Sequence, residues 1–250
     1  MQNTCWSSSQ EEIFFTVPTK RGSAKLKEIT FLKNNRRTTT HVLSVLLIAF
    51  CFFFPHYAGL PIFIYPIITL ITVWLFLKYT TKESFGDLFF SFNRFELSAV
   101  WTGIIAAALL SAFFSFIWDP FISRVLPAAK MDLSDFSGIR YNPVNYIIIL
   151  VMALVVGGFY EEVVFHGFIF TRLEKIFKGK YSTPASFILS NIIFGLYHFQ
   201  LGLKGILLAA IAGFAYHAFI LKFNRNLWYG LFFHAFFDFI GLTLIYLGYN

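Results

Sequence analysis

Apolar residues in this chain come in long unbroken runs, with neither the alternation of a strand nor the narrow stripe of a surface helix. Seven runs approach the ~20 residues that a helix needs to cross hydrocarbon: Val42–Pro55, Ile62–Leu77, Leu97–Trp118, Val144–Phe170, Pro184–Leu201, Gly205–Leu221 and Leu227–Leu247. The pattern predicts an all-α protein, a polytopic transmembrane helix bundle of about seven spans. Pro55 and Pro61 bracket a tiny turn, which would let the short first run fold back against the second as a re-entrant hairpin. Between the second and third runs, Phe85–Glu96 mixes Phe and Leu with charges and is expected in the membrane interface. Residues 1–41 mix Ser, Thr, Lys and Arg without a sustained apolar period, so they read as a mobile polar tail. Residues 42–140 then supply the N-terminal transmembrane helices and residues 141–250 a core that carries the chemistry.

Composition agrees with a bilayer as solvent. Of the 250 residues, 57% are hydrophobic and only 13% charged, about half the charged fraction of a soluble domain. A net charge of +7 would fit nucleic acid in another context, but the basic residues here flank apolar runs. Charge placed so reads as topology and headgroup contact, and no nucleic-acid partner is expected. With the N-terminus in the cytoplasm, sixteen of the twenty Lys and Arg fall on the inner side. Only Arg124, Lys130, Arg140 and Lys204 fall outside, and seven spans then put the C-terminus outside. Cys5 and Cys51 lie in a polar tail and an apolar run, so neither a disulfide nor a CxxC metal site is expected. Small size and the lack of a retention signal favour a prokaryotic inner membrane.

Ionisable side chains are costly inside a membrane, about 2.5–3.5 kcal/mol each on insertion scales. The late runs nevertheless contain Glu161, Glu162, His166, His198, His217, His234 and Asp238, while the first three carry no such interior group. Function is therefore expected in the second half of the chain. Glu162 and His166 are four apart and share a helix face, as do His234 and Asp238. Glu161 is turned about 100° from Glu162 on an α-helix, so one carboxylate can face a reacting water while the other holds a partner. His217 lacks such a relation and reads as a packing or hydrogen-bonding residue; Asn191 is expected to bond across helices. The row Gly205, Ala209 and Gly213 lets the sixth run pack closely on a neighbour. Depth is harder. Counted along ideal helices from their cytoplasmic ends, His198, Glu161 and His234 differ by roughly 10 Å, so a shared site requires tilt or shifted helix starts.

Three segments in order carry a resemblance: Glu161-Glu162-Val163-Val164-Phe165-His166-Gly167, Phe194-Gly195-Leu196-Tyr197-His198 and His234-Ala235-Phe236-Phe237-Asp238. Together they resemble the EExxxR, FxxxH and HxxxN or HxxxD motifs of the CAAX-protease and bacteriocin-processing (Abi) family, over roughly Val144 to Ile245. The chain departs at one point, where the family's Arg is His166, which lacks the permanent charge and the bidentate fork of Arg.

The resemblance implies an intramembrane endopeptidase acting on a membrane-associated peptide; prenylated C-terminal peptides, bacteriocin leaders and other membrane-delivered segments all fit. Glu161, Glu162, His198, His234 and Asp238 become the candidate catalytic residues, with His166 and Phe194 supporting them. Two mechanisms follow from it. A divalent metal such as zinc would sit on Glu161, His198 and His234 and acidify a bound water. In a metal-free alternative, Glu161 and His198 activate the water directly while His234 and Asp238 stabilise the oxyanion. An ionised Asp238 donates no hydrogen bond, and would serve better by orienting His234. Two other classes stay open on the residues alone: a proton-coupled transporter, which should show paired repeats that the sequence lacks, and a catalytically silent membrane binding protein.

Overall fold

A computed structural model describes residues 20–249 of the chain; Cys5 and the first part of the expected tail lie outside the described residues. The chain divides into two units at Thr40 and His41. Helix α1 is assigned to Lys20–Tyr57, so residues 20–41 are helical despite their polar composition. In the first unit the hydroxyls of Thr38, Thr39 and Thr40 donate back to the carbonyls of Asn34, Asn35 and Arg36, a local satisfaction of polar side chains on an exposed helix. The expected re-entrant hairpin is not found: residues 42–55 are helical throughout and the helix continues through Pro55 to Tyr57.

The rest of the second unit is also helical. Helix α2 (Tyr65–Leu75) starts with Pro66 in its first turn, where a missing N–H costs nothing, and runs on as a π-turn, Phe76–Thr81. Two short 3₁₀ turns, Phe85–Leu88 and Phe92–Arg94, lead to α3 (Leu97–Phe113), which continues through a π-turn into α4 (Asp119–Val125). Helix α5 (Pro143–Val155) begins with Asn142 capping the Asn145 N–H at 3.1 Å. It passes directly into a fourteen-residue π-helix, Val156–Ile169, and then α6 (Phe170–Ile176). Helices α7 (Ser182–Tyr197), α8 (Gly202–Lys222) and α9 (Leu227–Tyr246) complete the bundle.

Five described helical stretches are long and apolar enough to cross a membrane: Thr30–Tyr57, Leu97–Val125, Pro143–Ile176, Phe199–Lys222 and Leu227–Tyr246. The other two expected spans correspond to α2, eleven residues before its six-residue π-turn, and to the sixteen-residue α7; both are shorter than the rest. The segment around residues 85–96 is not a free amphipathic helix. Leu227 N–H, Trp228 Nε1–H and Asn226 Nδ2 donate to the carbonyls of Phe89, Ser91 and Arg94, at 3.1, 2.8 and 2.8 Å, tying it to the turn between α8 and α9.

Thirteen of the fourteen π-helix residues are buried, which makes this segment the axis of the second unit. Its neighbours come close because small residues meet them. A Cβ on Gly158 would lie 2.9 Å from Ala235 Cβ on α9, and one on Gly195 of α7 would lie 2.6 Å from Ala210 Cβ on α8. Gly205, Ala209 and Gly213 are buried as the small-residue row requires, with Gly213 against Phe194 of α7. Charged pairs link separate elements. Glu83 pairs with Arg172 and Lys175, and Glu174 takes both guanidinium nitrogens of Arg225 at 2.8 Å; elsewhere Lys204 pairs with Asp119.

Candidate active site

The π-helix contributes three polar groups. Glu162 and His166 are both fully buried, and His166 Nδ1 lies 3.0 Å from Glu162 Oε2. The four-residue spacing thus brings the two together as the sequence suggests. Glu161, in contrast, makes no hydrogen bond among the described residues. Its Oε2 instead faces two imidazole nitrogens, His198 Nε2 at 3.6 Å and His234 Nε2 at 4.0 Å. Both gaps exceed a direct hydrogen bond and are of the kind that a water or a substrate group closes.

Each histidine is turned by its other nitrogen. His198 is the residue that ends α7, in a non-helical conformation (φ −92°, ψ 28°), and its Nδ1–H donates to Phe194 O at 2.9 Å. His234 Nδ1–H donates to Glu162 Oε1 at 2.9 Å. In both rings Nε2 is therefore the nitrogen presented to Glu161. The carboxylate that orients His234 is Glu162 and not Asp238, whose Oδ2 stands 3.6 Å from His234 Nε2, on the open side of the ring.

Depth along ideal helices separates these groups by an amount the structure does not reproduce. The carboxylates sit on a π-helix, whose i→i+5 turn is wider than the α-turn used in that count, and His198 lies just past the end of its helix. Two glycines then let the helices close. A Cβ on Gly157 would strike Asp238 Oδ2, and one on Gly230 would sit 2.6 Å from Glu162 Oε2 and 2.5 Å from Ile220 Cδ1.

Exposure grades the site from a closed floor to an open mouth. Side-chain exposure is 0% for Glu162 and His166, 6% for His234, 10% for Glu161, 17% for His198 and 25% for Asp238. Glu161 is thus the carboxylate that a reactant can reach, and Glu162 is not. Phe194 packs between the rings, with centroids 4.8 Å from His198, 5.2 Å from His166 and 5.9 Å from His234.

Sequence reasoning missed two parts of this arrangement. Tyr216 of α8 stacks on His234 at 4.4 Å and 20°, closing the other face of that ring. Asn191 does bond across helices as expected, but to two histidines at once: His166 Nε2 and His217 Nδ1, each at 3.1 Å. Its signal was the four-residue step from Phe187 through Asn191 to Gly195 on the face that ends at His198. His217 is fully buried beside this network and apart from Glu161.

Whether these donors suit a metal is a question of geometry. Two Nε2 lone pairs and one carboxylate oxygen are chemically apt ligands. Among the described residues, however, no group of three or more His, Cys, Asp or Glu side chains is arranged to hold a metal ion. The steps proposed for this site use its own side chains.

Comparison with known proteins shows a family to which the same segment is similar. Neither curated proteins nor solved structures give a match. Residues 143–240 match the family model described as "Type II CAAX prenyl endopeptidase Rce1-like". Glu161, Glu162, His166, Asn191, His198, His234 and Asp238 all fall inside that match, and the apolar helices around them make this an integral membrane protein. Over residues 143–240 the chain is similar to this Rce1-like family, and the similarity supports in general terms an intramembrane endopeptidase of CAAX type.

Proposed function

We propose that the protein hydrolyses a peptide bond of a membrane-delivered, prenylated C-terminal peptide, with Glu161 activating the water. One observation carries this reading: Glu161 Oε2 faces the Nε2 atoms of His198 and His234 at 3.6 and 4.0 Å while making no hydrogen bond among the described residues. Glu161 takes a proton from the water as its oxygen adds to the scissile carbonyl carbon. The same proton passes to the leaving nitrogen as the C–N bond breaks, which restores the carboxylate. His198 Nε2, free because Nδ1–H is bound to Phe194 O, accepts the water's second hydrogen and fixes its direction. Protonated His234, with Nδ1–H on Glu162, donates Nε2–H to the developing oxyanion, and Asp238 adds negative charge beside that ring.

The test is cleavage of a prenylated C-terminal peptide and of its unprenylated counterpart by detergent-purified protein, read by mass spectrometry beside Glu161→Ala. A single cut, faster with the prenyl group and absent in Glu161→Ala, is expected. Failure to cut any membrane-anchored peptide, or equal cleavage by the variant, would contradict the reading. Metal analysis belongs in the same experiment. One bound ion that leaves together with activity on chelation would move Glu161, His198 and His234 into a coordination shell, and they would no longer act as free base, water acceptor and oxyanion donor.

Orientation is proposed with it. The cytoplasmic end is the one where Lys82, Arg94, Arg172, Lys175 and Arg225 lie, because positive residues are retained on that side. Single-cysteine labelling near Lys82 and near Lys204 from each side of a sealed membrane would report it. Labelling of Lys82 from outside would reverse the assignment.

A further inference from the structure

We propose that an apolar slot beside α2 holds one acyl chain of an anionic phospholipid, with the lipid phosphate at the Lys78 ammonium. Six side chains line the slot: Leu70, Ile71 and Trp74 of α2, Phe85 and Phe90 from the segment that follows, and Phe159 of the π-helix. All six are aliphatic or aromatic, and the space they enclose is about 240 Å³. That exceeds the ~150 Å³ of an apolar cavity that takes a benzene, and falls short of the ~300–1,000 Å³ of a pocket for a whole drug-sized ligand. Such a space suits a length of hydrocarbon chain.

The floor of the slot is fixed and its outer wall is open. Phe90, 8% exposed, is held between Phe159 and Trp228, with ring centroids 5.2 and 5.3 Å away. The backbone beside it is tied down as well, since Trp228 Nε1–H donates to Ser91 O at 2.8 Å. Ile71 and Trp74, in contrast, are 50% and 40% exposed, on a helix whose outer side meets lipid. A preformed apolar hollow left empty forfeits the dispersion contacts of its lining, and in a bilayer the groups at hand to restore them are lipid chains.

Hydrocarbon alone does not select one lipid over another; Lys78 does. Its Nζ lies 4.8 Å from the ring centroid of Trp74, a lining residue, and 5.3 Å from that of Tyr79. Trp and Tyr collect where hydrocarbon gives way to headgroups, and there a lysine stem lies along apolar surface while its ammonium reaches the phosphates. Lys78 pairs with no carboxylate among the described residues. The nearest acids in sequence are engaged elsewhere, Glu83 by Arg172 and Lys175, and Asp87 by the N–H and hydroxyl of Ser84. A free ammonium beside an apolar slot complements a chain that ends in a phosphate.

The slot is separate from the site around Glu161. None of its six lining side chains is among the groups that meet Glu161, Glu162, His198 or His234 there. Phe159 shares the π-helix with the two carboxylates, but its ring packs on Phe90. The occupant is thus a lipid of the surrounding membrane and not the peptide being cut, and the proposal does not rest on the hydrolytic reading.

Full-length protein in phosphatidylcholine vesicles tests this, with brominated-chain lipids that quench tryptophan fluorescence on contact. The part of the quenching that Trp74→Phe removes is the signal of the slot. Brominated phosphatidylglycerol should produce that signal at about one-fifth of the mole fraction that brominated phosphatidylcholine needs, the factor expected of one lysine beside a phosphate. Lys78→Gln should bring the two lipids within twofold of each other, and Lys78→Arg should keep the preference. Both Trp74 and Lys78 are exposed, so these variants should fold, which their melting temperatures check. Equal quenching by the two lipids in the unmodified protein would overturn the proposal, as would a preference unchanged by Lys78→Gln. Loss of the signal on adding a prenylated C-terminal peptide, but not its unprenylated counterpart, would give the slot to the substrate's chain and overturn it too.

Discussion

The spans Leu97–Val125, which contains α3, and Pro143–Ile176, which contains the π-helix, are equally apolar on average, yet they meet different surroundings. Only 17% of the most apolar stretch of Leu97–Val125 is buried, against 44% for Pro143–Ile176. Trp101, Ile105, Leu109 and Phe116 point outward from α3 and its continuation, Phe116 at 80% exposure. The π-helix turns nearly everything inward, including two carboxylates and an imidazole. In water this contrast would follow hydropathy, because the outside must be polar. In a bilayer both sides of a helix are apolar, and the groups that distinguish centre from rim are ionisable residues and glycines.

The largest effect should come from the polar centre. His198→Ala and His234→Ala are expected to lower kcat by about 10²–10⁴-fold, the range of a lost acid–base or oxyanion group, with folded protein still purified. Trp101→Leu and Phe116→Leu, made as a pair of controls on the apolar rim, should leave turnover within twofold. Equal losses at both places would dissolve the contrast.

Glycine sharpens it within one helix. Gly230→Ala pushes a methyl against Ile220 and Glu162 and should cost about 1–3 kcal/mol in thermal stability together with turnover. Gly241→Ala, on the same helix with nothing within 4 Å of the added carbon, should be neutral or stabilise by up to about 1 kcal/mol. Melting curves in one detergent decide between them.

An effect of the same size in stability is expected at the Glu83 pair. Burial works against the Glu83 carboxylate, but the Lys175 ammonium and Arg172 guanidinium outweigh it and hold the group below its ordinary range. A lowered folded value means that its stabilisation is present above the unfolded pKa of about 4.3 and is lost as pH falls through the folded value. Glu83→Gln should cost about 1–3 kcal/mol at pH 7, because Arg172, 1% exposed, loses its charge partner. The variant should also flatten the acid limb of the melting profile. The smallest effect is the rim itself, where Trp101→Leu should move stability by no more than about 0.5 kcal/mol.

Much of this was legible in the chain. Ionisable residues confined to the late apolar runs marked Glu161, Glu162, His198 and His234, and a four-residue spacing paired Glu162 with His166. Other features were hidden for physical reasons. Nothing local in Val156–Ile169 separates a π-helix from an α-helix, so turn angles and depths counted at 3.6 residues per turn placed Glu161 and His234 too far apart. The same rule suggested Asp238 as the partner that orients His234, since they are four apart, whereas Glu162 reaches across from another helix. Long-range pairs of this kind have no sequence signature. Asn191 showed only as a polar residue in an apolar run, without its two histidine partners.

The central claim is a division of labour: Glu161 activates water, and Glu162 holds the imidazoles. Single-turnover cleavage of one prenylated peptide by Glu161→Gln and Glu162→Gln protein tests it most directly. Glu161→Gln should retain peptide binding and lose the chemical step by about 10³-fold or more, since an amide cannot take the water's proton. Glu162→Gln still accepts from His234 and should keep measurable turnover, with its loss confined to about 10–100-fold. Near-normal cleavage by Glu161→Gln, with cleavage abolished only in Glu162→Gln, would contradict the account and exchange the two roles.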